Sequence, residues 1–444
     1  MKLWMYTTDY TRNHVEHTKQ EFTFSADKGQ ENELLNLFPE MEYQQFDGFG
    51  GAVTDSAGYV YGQMGEADKE KVLHTYFGKE GIGYTRVRIP IDSCDFSLEQ
   101  FQAVSDRDDW EAGIFSLERW KKYIYPLWED IRKVTKDVEV MVTPWSPPAF
   151  MKTNGERIHG GSLKEECRAA YAEYLCRYIK ELAKIGMPVK RLSIQNEPKA
   201  VQEWDSCIMD ADGEKLFLRD YLYPAMQKNG LTDIEIFIWD HNKERLYERA
   251  CAVIDDTTDP MVTGIAFHWY SGDHFEELRM VRERYPKLQM ILSEACIEYS
   301  KFDAGEELNN VKKYAHEIIG NLNAGMNAFY DWNILLDENG GPNHAGNFCD
   351  APFLYHVEER RLEERMTLSA IAHFGRYIKA GAVRIGHSCY TEEIEVTSFK
   401  NPDGSIVVVM LNWTQKNLPV TLRINNECVT VVMKALSIST GVIV

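Results

Sequence analysis

The feature that most constrains this chain is a rhythm repeated eight times: a short apolar, β-rich run followed by a helical stretch. The runs are Gln45–Phe49, Tyr84–Ile91, Val138–Thr143, Arg191–Gln195, Glu235–Trp239, Ile265–Trp269, Met290–Ser293 and Ala328–Asp331. Between them lie helix-like segments, among them Glu66–Phe77, Leu117–Val134, Lys164–Lys184, Glu214–Gln227 and Leu308–Leu322. Within Lys164–Lys184, Tyr171, Tyr174, Leu175, Tyr178, Ile179 and Leu182 recur at spacings of three and four, the stripe of a helix that buries one face. Strand and helix alternating in this way predict an α/β fold of the (β/α)8 TIM-barrel kind, since a doubly wound sheet rarely needs eight units.

After a last helix at about Glu364–Lys379 the pattern changes. "EEIEVTSF", "SIVVVMLNW", "LPVTLRI" and "CVTVVM" are short alternating or apolar runs, and Asn401-Pro402-Asp403-Gly404 supplies a hairpin turn. Strand-like pieces, "KLWMYTT" and "QEFTFS", also precede the first helix. The expected organisation is a barrel over residues 46–380 and an accessory antiparallel β-sandwich domain. The sandwich is built from strands in residues 1–45 and 381–444, which brings both ends of the chain into one sheet. At 444 residues the chain is long enough for a large domain with an accessory one.

Barrels of this type gather their chemistry at the carboxyl ends of the strands. Those ends carry Asp55 in GFGGAVTDS, Asp92 in RIPIDSCDF, Trp145 in TPWSPP, Asn196-Glu197 in LSIQNEPKA and Asp240-His241-Asn242. They continue with His268-Trp269-Tyr270, Glu294, and Asp331-Trp332-Asn333. Pro198 lacks an N–H and is expected to stop the fourth strand, leaving Asn196 and Glu197 at its end. Glu197 and Glu294 each follow an apolar strand directly, and the fourth and seventh strands face each other across a barrel mouth. Two converging carboxylates are what glycoside hydrolysis needs: one protonates the leaving oxygen, the other faces the anomeric carbon. The plainer reading is that each acid pairs with a neighbouring Arg or Lys. Arg88, inward on the second strand, serves either reading, since an ion pair holds a carboxylate ionised as a nucleophile requires.

Charge and composition exclude other classes. A net charge of −20 repels phosphate backbones and anionic membranes, so nucleic acid and stable membrane insertion are not expected. No run reaches the roughly 18 apolar residues of a membrane helix. The nine cysteines are scattered and form no C-x-x-C pair, neither a disulfide framework nor a zinc site. With a polar N-terminal stretch lacking an apolar signal core, the expectation is a cytoplasmic protein. His14-x-x-His17 reads as surface, and Asp337-Glu338-Asn339-Gly340 as a turn and not a calcium loop. Gly48-Phe49-Gly50-Gly51 lacks the third glycine of a dinucleotide fingerprint. No metal or cofactor is expected.

The stretches FGGAVTD, RIPIDSCDFS, PWSPPAFMKTNG, QNEP, GIAFHWY, SEAC, DWNILLDENGGPN and NPDGSIVVVMLN, in this order along nearly the whole chain, resemble glycoside hydrolase family 30, the retaining β-glycosidases. The resemblance implies that Glu197 is the general acid/base and Glu294 the nucleophile. It implies that Asp55 and Trp145 bind sugar hydroxyls, that Asn196 bonds the 2-hydroxyl, and that His268, Tyr270, Trp332 and Asn347 line or support the pocket, with Arg88 behind the nucleophile. It also implies the barrel with a β domain drawn from both ends.

The expected activity is that of a cofactor-free retaining exo-β-glucosidase acting on a small β-glucoside or a glucosylated lipid. β-1,6-Glucanase and β-xylosidase are the alternatives within the family, and a non-catalytic carbohydrate-binding protein the alternative of another class. In such a site Glu294 is expected to stay ionised beside Arg88 and Glu197 to keep a raised pKa. Oligomeric state is not legible in the sequence.

Overall fold

The computed structural model describes residues 1–11, 15–301, 303 and 305–444. Eight parallel strands close into a barrel: β1 (Gly48–Ala52), β2 (Tyr84–Ile91), β3 (Glu139–Pro144), β4 (Val189–Ser193), β5 (Glu235–Asn242), β6 (Gly264–His268), β7 (Gln289–Glu294) and β8 (Ala328–Asp331). Neighbours in space are neighbours in sequence all the way round, and β8 closes on β1. Helices cover the outside. The helix Arg168–Lys184 buries Tyr171, Tyr174, Leu175, Tyr178, Ile179 and Leu182 as the periodicity predicts.

Several boundaries differ from the sequence reading, each for a local reason. β1 starts at Gly48 because Gln45 ends a long strand, Leu34–Gln45, of the second sheet. Its glycines are there for close packing, not for phosphate: a Cβ on Gly50 would lie 2.3 Å from the Arg86 carbonyl oxygen. β4 ends at Ser193, and it is not Pro198 that turns the chain. The amides of Asn196 and Glu197 still donate to Pro144 and Asp240 carbonyls at 2.9 Å, and the chain turns where Glu197 itself takes φ 44°. The predicted helix Leu117–Val134 is two helices, Glu118–Lys121 and Ile124–Val134, and Pro126 sits in the first turn of the second, where a missing N–H costs nothing. The predicted Glu214–Gln227 helix contains a π turn at Leu218–Leu222, beside Pro224, whose ring nitrogen cannot donate backward.

Inside the barrel, side chains two residues apart on a strand share the inward face, so they stack in layers. At the amino-terminal end Arg86 and Arg191 meet Glu139, Asp47 and Glu235. An apolar layer of Met141, Phe237, Ala266, Ile291, Ala328 and Tyr330 fills the middle. Above it, Arg88, Thr143, Ser193, His268 and Ser293 are buried at the carboxyl end. A dry middle layer between two charged ones closes the barrel, so the site is a floor and not a pore.

Leu336–Asp337, Phe353–His356 and Arg361–Glu364 form a small three-stranded sheet, and the other strands outside the barrel form one ten-stranded sheet. Lys2–Asp9 lies inside it, antiparallel to Glu16–Thr23 on one side and to Ser437–Ile443 on the other. Ile406–Asn412, Ile394–Lys400, Val383–Cys389, Leu34–Gln45, Leu418–Ile424 and Glu427–Met433 continue the order, ending on Ser25–Ala26. Register shifts between Val383–Cys389 and Leu34–Gln45 bend the sheet, which encloses a core of residues such as Leu3, Leu35, Leu37, Val408, Met410, Val420 and Leu422. The sandwich is therefore one continuous sheet, with both chain ends in it. Among the described residues no helix is long and apolar enough to cross a membrane.

Candidate active site

The site is organised by backbone that side-chain-bearing residues seldom adopt. Asp92, Glu197, Trp239, Asp240 and Asn333, all at carboxyl ends of barrel strands, have φ between 44° and 73°. Such conformations cost about 1–3 kcal/mol each and persist where the surroundings enforce them. Register shifts on both sides of β6, between Ala266 and Phe267 and between Phe267 and His268, add to the effect. Together they aim Glu197, Asp240 and His268 at one point.

Arg88 is the hub. Fully buried, it donates from Nη1 to Glu294 Oε2 at 2.7 Å and from Nη2 to Asn196 Oδ1 at 2.8 Å and Asp240 Oδ2 at 3.0 Å. The rings of Trp145 and Trp332, stacked on each other at 5.3 Å, lie over the guanidinium at 4.8 and 5.4 Å. The Tyr270 hydroxyl donates to the other oxygen of Glu294 at 3.0 Å. Both oxygens of that carboxylate are thus held, and its orientation is fixed. Asn196 gives its oxygen to Arg88, which leaves its amide protons for another acceptor.

Across the site, His268 Nδ1 lies 3.2 Å from Glu197 Oε1 and 3.9 Å from Glu294 Oε1, while its Nε2 bonds Asp240 Oδ1 at 3.2 Å. His241 Nδ1 is 3.6 Å from the same Glu197 oxygen. These imidazoles reverse the expected charge order. Burial pushes Glu197 up, but the hydrogen bond from His268 and the charge near His241 outweigh it and bring the carboxyl down to about 2. Glu294 is raised: burial exceeds the lowering by His268 and Arg88, and Glu197 adds its repulsion. Burial lowers His268, yet Glu294, Asp240 and Glu197 together lift it to about 10. In this arrangement the proton beside Glu197 sits on His268.

Of the residues the sequence singles out, Arg88, Glu197, Asn196, Glu294, His268, Tyr270, Trp145 and Trp332 converge. Asp55 does not join them. It is 1 % exposed and grips Arg119 through two hydrogen bonds of 2.8 Å while accepting from the Leu98 amide, so it has no free edge for a sugar. Asp92 and Asp331 are likewise absorbed, by Tyr174 and Tyr314. Asn347 reaches the site through a residue the sequence reading passes over, Asp95, to which its amide donates at 3.0 Å.

Asp95 is the main omission. Buried, with Oδ1 unpartnered, it is pushed up to about 8 by burial and then by the charges of Glu294 and Glu197. Its signal is present in RIPIDSCDF, where the acid beyond Cys94 is the one that turns inward and Asp92 the one that braces the loop. Ser293, which donates to the strand-end acid Asp240, is the other addition. His17 bonds Thr8 at 2.9 Å, away from the barrel mouth, and His14 lies outside the described residues. Asp337 caps a turn through the amides of Asn339 and Gly341, as expected.

Comparison with known proteins agrees with this geometry. Residues 46–378 match the family described as glycosyl hydrolase family 30 TIM-barrel domain, and residues 381–441 its beta sandwich domain. The solved structure of SrfJ from Salmonella typhimurium superposes with a TM-score of 0.96 at 35% identity, over 100% of this chain and 99% of the other. An endo-β1,6-glucanase structure superposes with a TM-score of 0.89 at 25% identity, covering 100% and 99%. The lysosomal acid glucosylceramidase of Mus musculus is 28% identical over 88% of this chain and 79% of its own length.

Proposed function

This chain belongs to glycosyl hydrolase family 30, a family of glycoside hydrolases, and on that premise we propose that it is a retaining exo-β-glucosidase with Glu294 as nucleophile and Glu197 as acid/base. The observation that carries the reading is the unequal support of the two carboxylates. Glu294 is held at both oxygens by Arg88 and Tyr270, as suits a group that must attack along one line. Glu197 instead faces two imidazoles, His241 and His268, groups that exchange protons. Both Oε1 atoms lie within 4 Å of His268 Nδ1, which caps their separation at about 7 Å; retaining pairs stand roughly 5–5.5 Å apart.

In the first step Glu294 bonds the anomeric carbon as the glycosidic C–O bond breaks, and Glu197 relays to the leaving oxygen the proton that His268 holds beside it. In the second, water attacks that carbon, Glu197 takes the water's proton, and Glu294 is released. Asn196 offers its amide to the 2-hydroxyl, Asp95 with Asn347 and Trp145 bind the hydroxyls on the far side of the ring, and Trp332 floors the pocket. Asp95 and Glu294 are 6 % and 8 % exposed, a depth that suits one terminal sugar better than the middle of a polymer. The substrates are small β-glucosides or a glucosylated lipid.

The test is proton NMR of an aryl β-glucoside during hydrolysis, together with gentiobiose, glucosylceramide and β-1,6-glucan as substrates. β-Glucose appearing before mutarotation supports the mechanism, and α-glucose first rejects it. Release of glucose alone from glucan supports exo action. Early release of oligosaccharides favours the second reading, an endo-β1,6-glucanase, for which the 0.89 superposition on such an enzyme speaks.

A further inference from the structure

We propose that Glu197, His241 and His268 form a binding site for a borderline divalent cation of the zinc class, and that such an ion switches the enzyme off. Glu197 Oε1, His241 Nδ1 and His268 Nδ1 lie within 4.8 Å of one another. Two of the three separations are 3.2 and 3.6 Å. Zinc bonds of about 2.0–2.1 Å at tetrahedral angles place neighbouring ligand atoms roughly 3.4 Å apart, so the two separations to Glu197 already match and the two imidazoles, within 4.8 Å of each other, complete the set. Two imidazoles and one carboxylate with a fourth position open is a ligand set zinc takes readily.

Two further observations point to a ligand here. His241 Nδ1 is buried and has no hydrogen-bond partner, which is costly for an imidazole nitrogen unless something else meets it. His268 is placed as a metal-binding histidine: Nε2 lies 3.2 Å from Asp240 Oδ1 and Nδ1 faces Glu197, so an incoming cation displaces the Nδ1 proton and takes its place. Asp240 is itself anchored by Arg88 and Ser293. A carboxylate behind the ligating imidazole fixes tautomer and ring orientation and strengthens the nitrogen as a donor. Glycoside hydrolysis by two carboxylates does not require these groups to be arranged as metal ligands.

The binding site stands on geometry alone; the inhibition rests on the assignment of Glu197 as acid/base, because a coordinated carboxylate oxygen can neither give nor take the proton. Zn²⁺ is titrated by calorimetry into the full chain after chelator treatment, with Co²⁺ as a visible-absorption probe of tetrahedral coordination. One ion per chain is expected, with affinity at least about tenfold weaker in both His241→Gln and His241→Ala, each checked for folding by its thermal melt. Crystals of the unaltered chain soaked in Zn²⁺ should show an anomalous peak bonded to all three atoms. Unchanged affinity in both His241 variants, or a peak elsewhere with this site bare, overturns the proposal. The ratio of aryl β-glucoside turnover with and without Zn²⁺ is then compared within each protein. A large loss in the parent and little in the variants supports inhibition. Binding through His241 with turnover untouched leaves the metal site standing and removes Glu197 from the role of acid/base.

Discussion

Arg88 Nη1 and Glu294 Oε2 are joined at 2.7 Å inside the barrel, where neither side chain is more than one-tenth exposed. A guanidinium cannot lose its proton and spreads five donors in a plane, so this one group serves Glu294, Asn196 and Asp240 together. Lysine has neither the reach nor the fork. Arg88→Lys should lower kcat/KM by about 10²-fold or more, and Arg88→Met should also destabilise the fold by about 3–5 kcal/mol, because two buried carboxylates lose their counter-charge. Urea unfolding and steady-state kinetics read the two effects. An Arg88→Met protein as stable as the parent would show that the pair contributes nothing to the fold.

The two carboxylates are separable by their response to leaving groups. Glu294→Gln should abolish turnover of every substrate. Glu197→Ala should be worst for poor leaving groups and mild for activated aryl glucosides in the first step, with added azide recovering rate as the β-glycosyl azide. Product analysis by NMR checks this. An α-azide from the Glu294 variant would exchange the two assignments.

Asp95 and Asp55 should part company in the same way. Asp95→Ala removes a buried acceptor from the sugar pocket, and activity on glucosides should fall by at least about 10²-fold, more than on xylosides, which lack the hydroxymethyl group. Asp55→Ala breaks its pair with Arg119, 22% exposed, and should instead cost about 2–4 kcal/mol of stability with similar loss on both substrates. A thermal melt beside a two-substrate assay separates them. Sugar discrimination lost in Asp55→Ala and kept in Asp95→Ala would reverse this account.

Acid should loosen the junction of barrel and sheet at His373. Its Nε2 meets Thr8 at 2.6 Å and its Nδ1 meets Thr440 at 2.9 Å, and burial, with His17 and Arg376 nearby, brings it down to about 3. The unfolded chain protonates near pH 6.5 and the folded one only near 3, so the unfolded state gains protons first. Stability is whole above about pH 6.5 and falls steadily below it, by about 3 kcal/mol at pH 4. In His373→Gln the loss between pH 7 and pH 4 should be smaller by about that amount, measured by denaturant unfolding. Parallel curves for the two proteins would place the acid sensitivity elsewhere.

The barrel was legible because its pattern is local: Tyr84–Ile91 and Ala328–Asp331 are strands with those very bounds, and Glu66–Phe77 is a helix with those bounds. Glu197 and Glu294 were legible for the same reason, as acids directly after apolar runs. Asp55 looked equally suitable, and only its distance from Arg119, sixty-four residues on, tells otherwise. Asp95 was hidden by the opposite circumstance, a loop whose path decides which of its two acids faces inward. The charge order of the carboxylates depends on His241 and His268, brought together by positive φ and register shifts that leave no periodic trace.

The strand Lys2–Asp9 has its neighbour on one side close by in the chain, but on the other side only at Ser437–Ile443, with the Lys2 amide bonded to the Val444 carbonyl at 3.0 Å. On the ribosome the barrel can assemble in order, each new strand finding the previous one already in place. The opening hairpin cannot. It must wait, edge exposed, until Ser437–Ile443, more than four hundred residues later, arrives to seal it. A chain stalled on the ribosome before Ser437–Ile443 has emerged would therefore hold a closed barrel beside an unsealed sheet, and it is there that a holdase chaperone should be found.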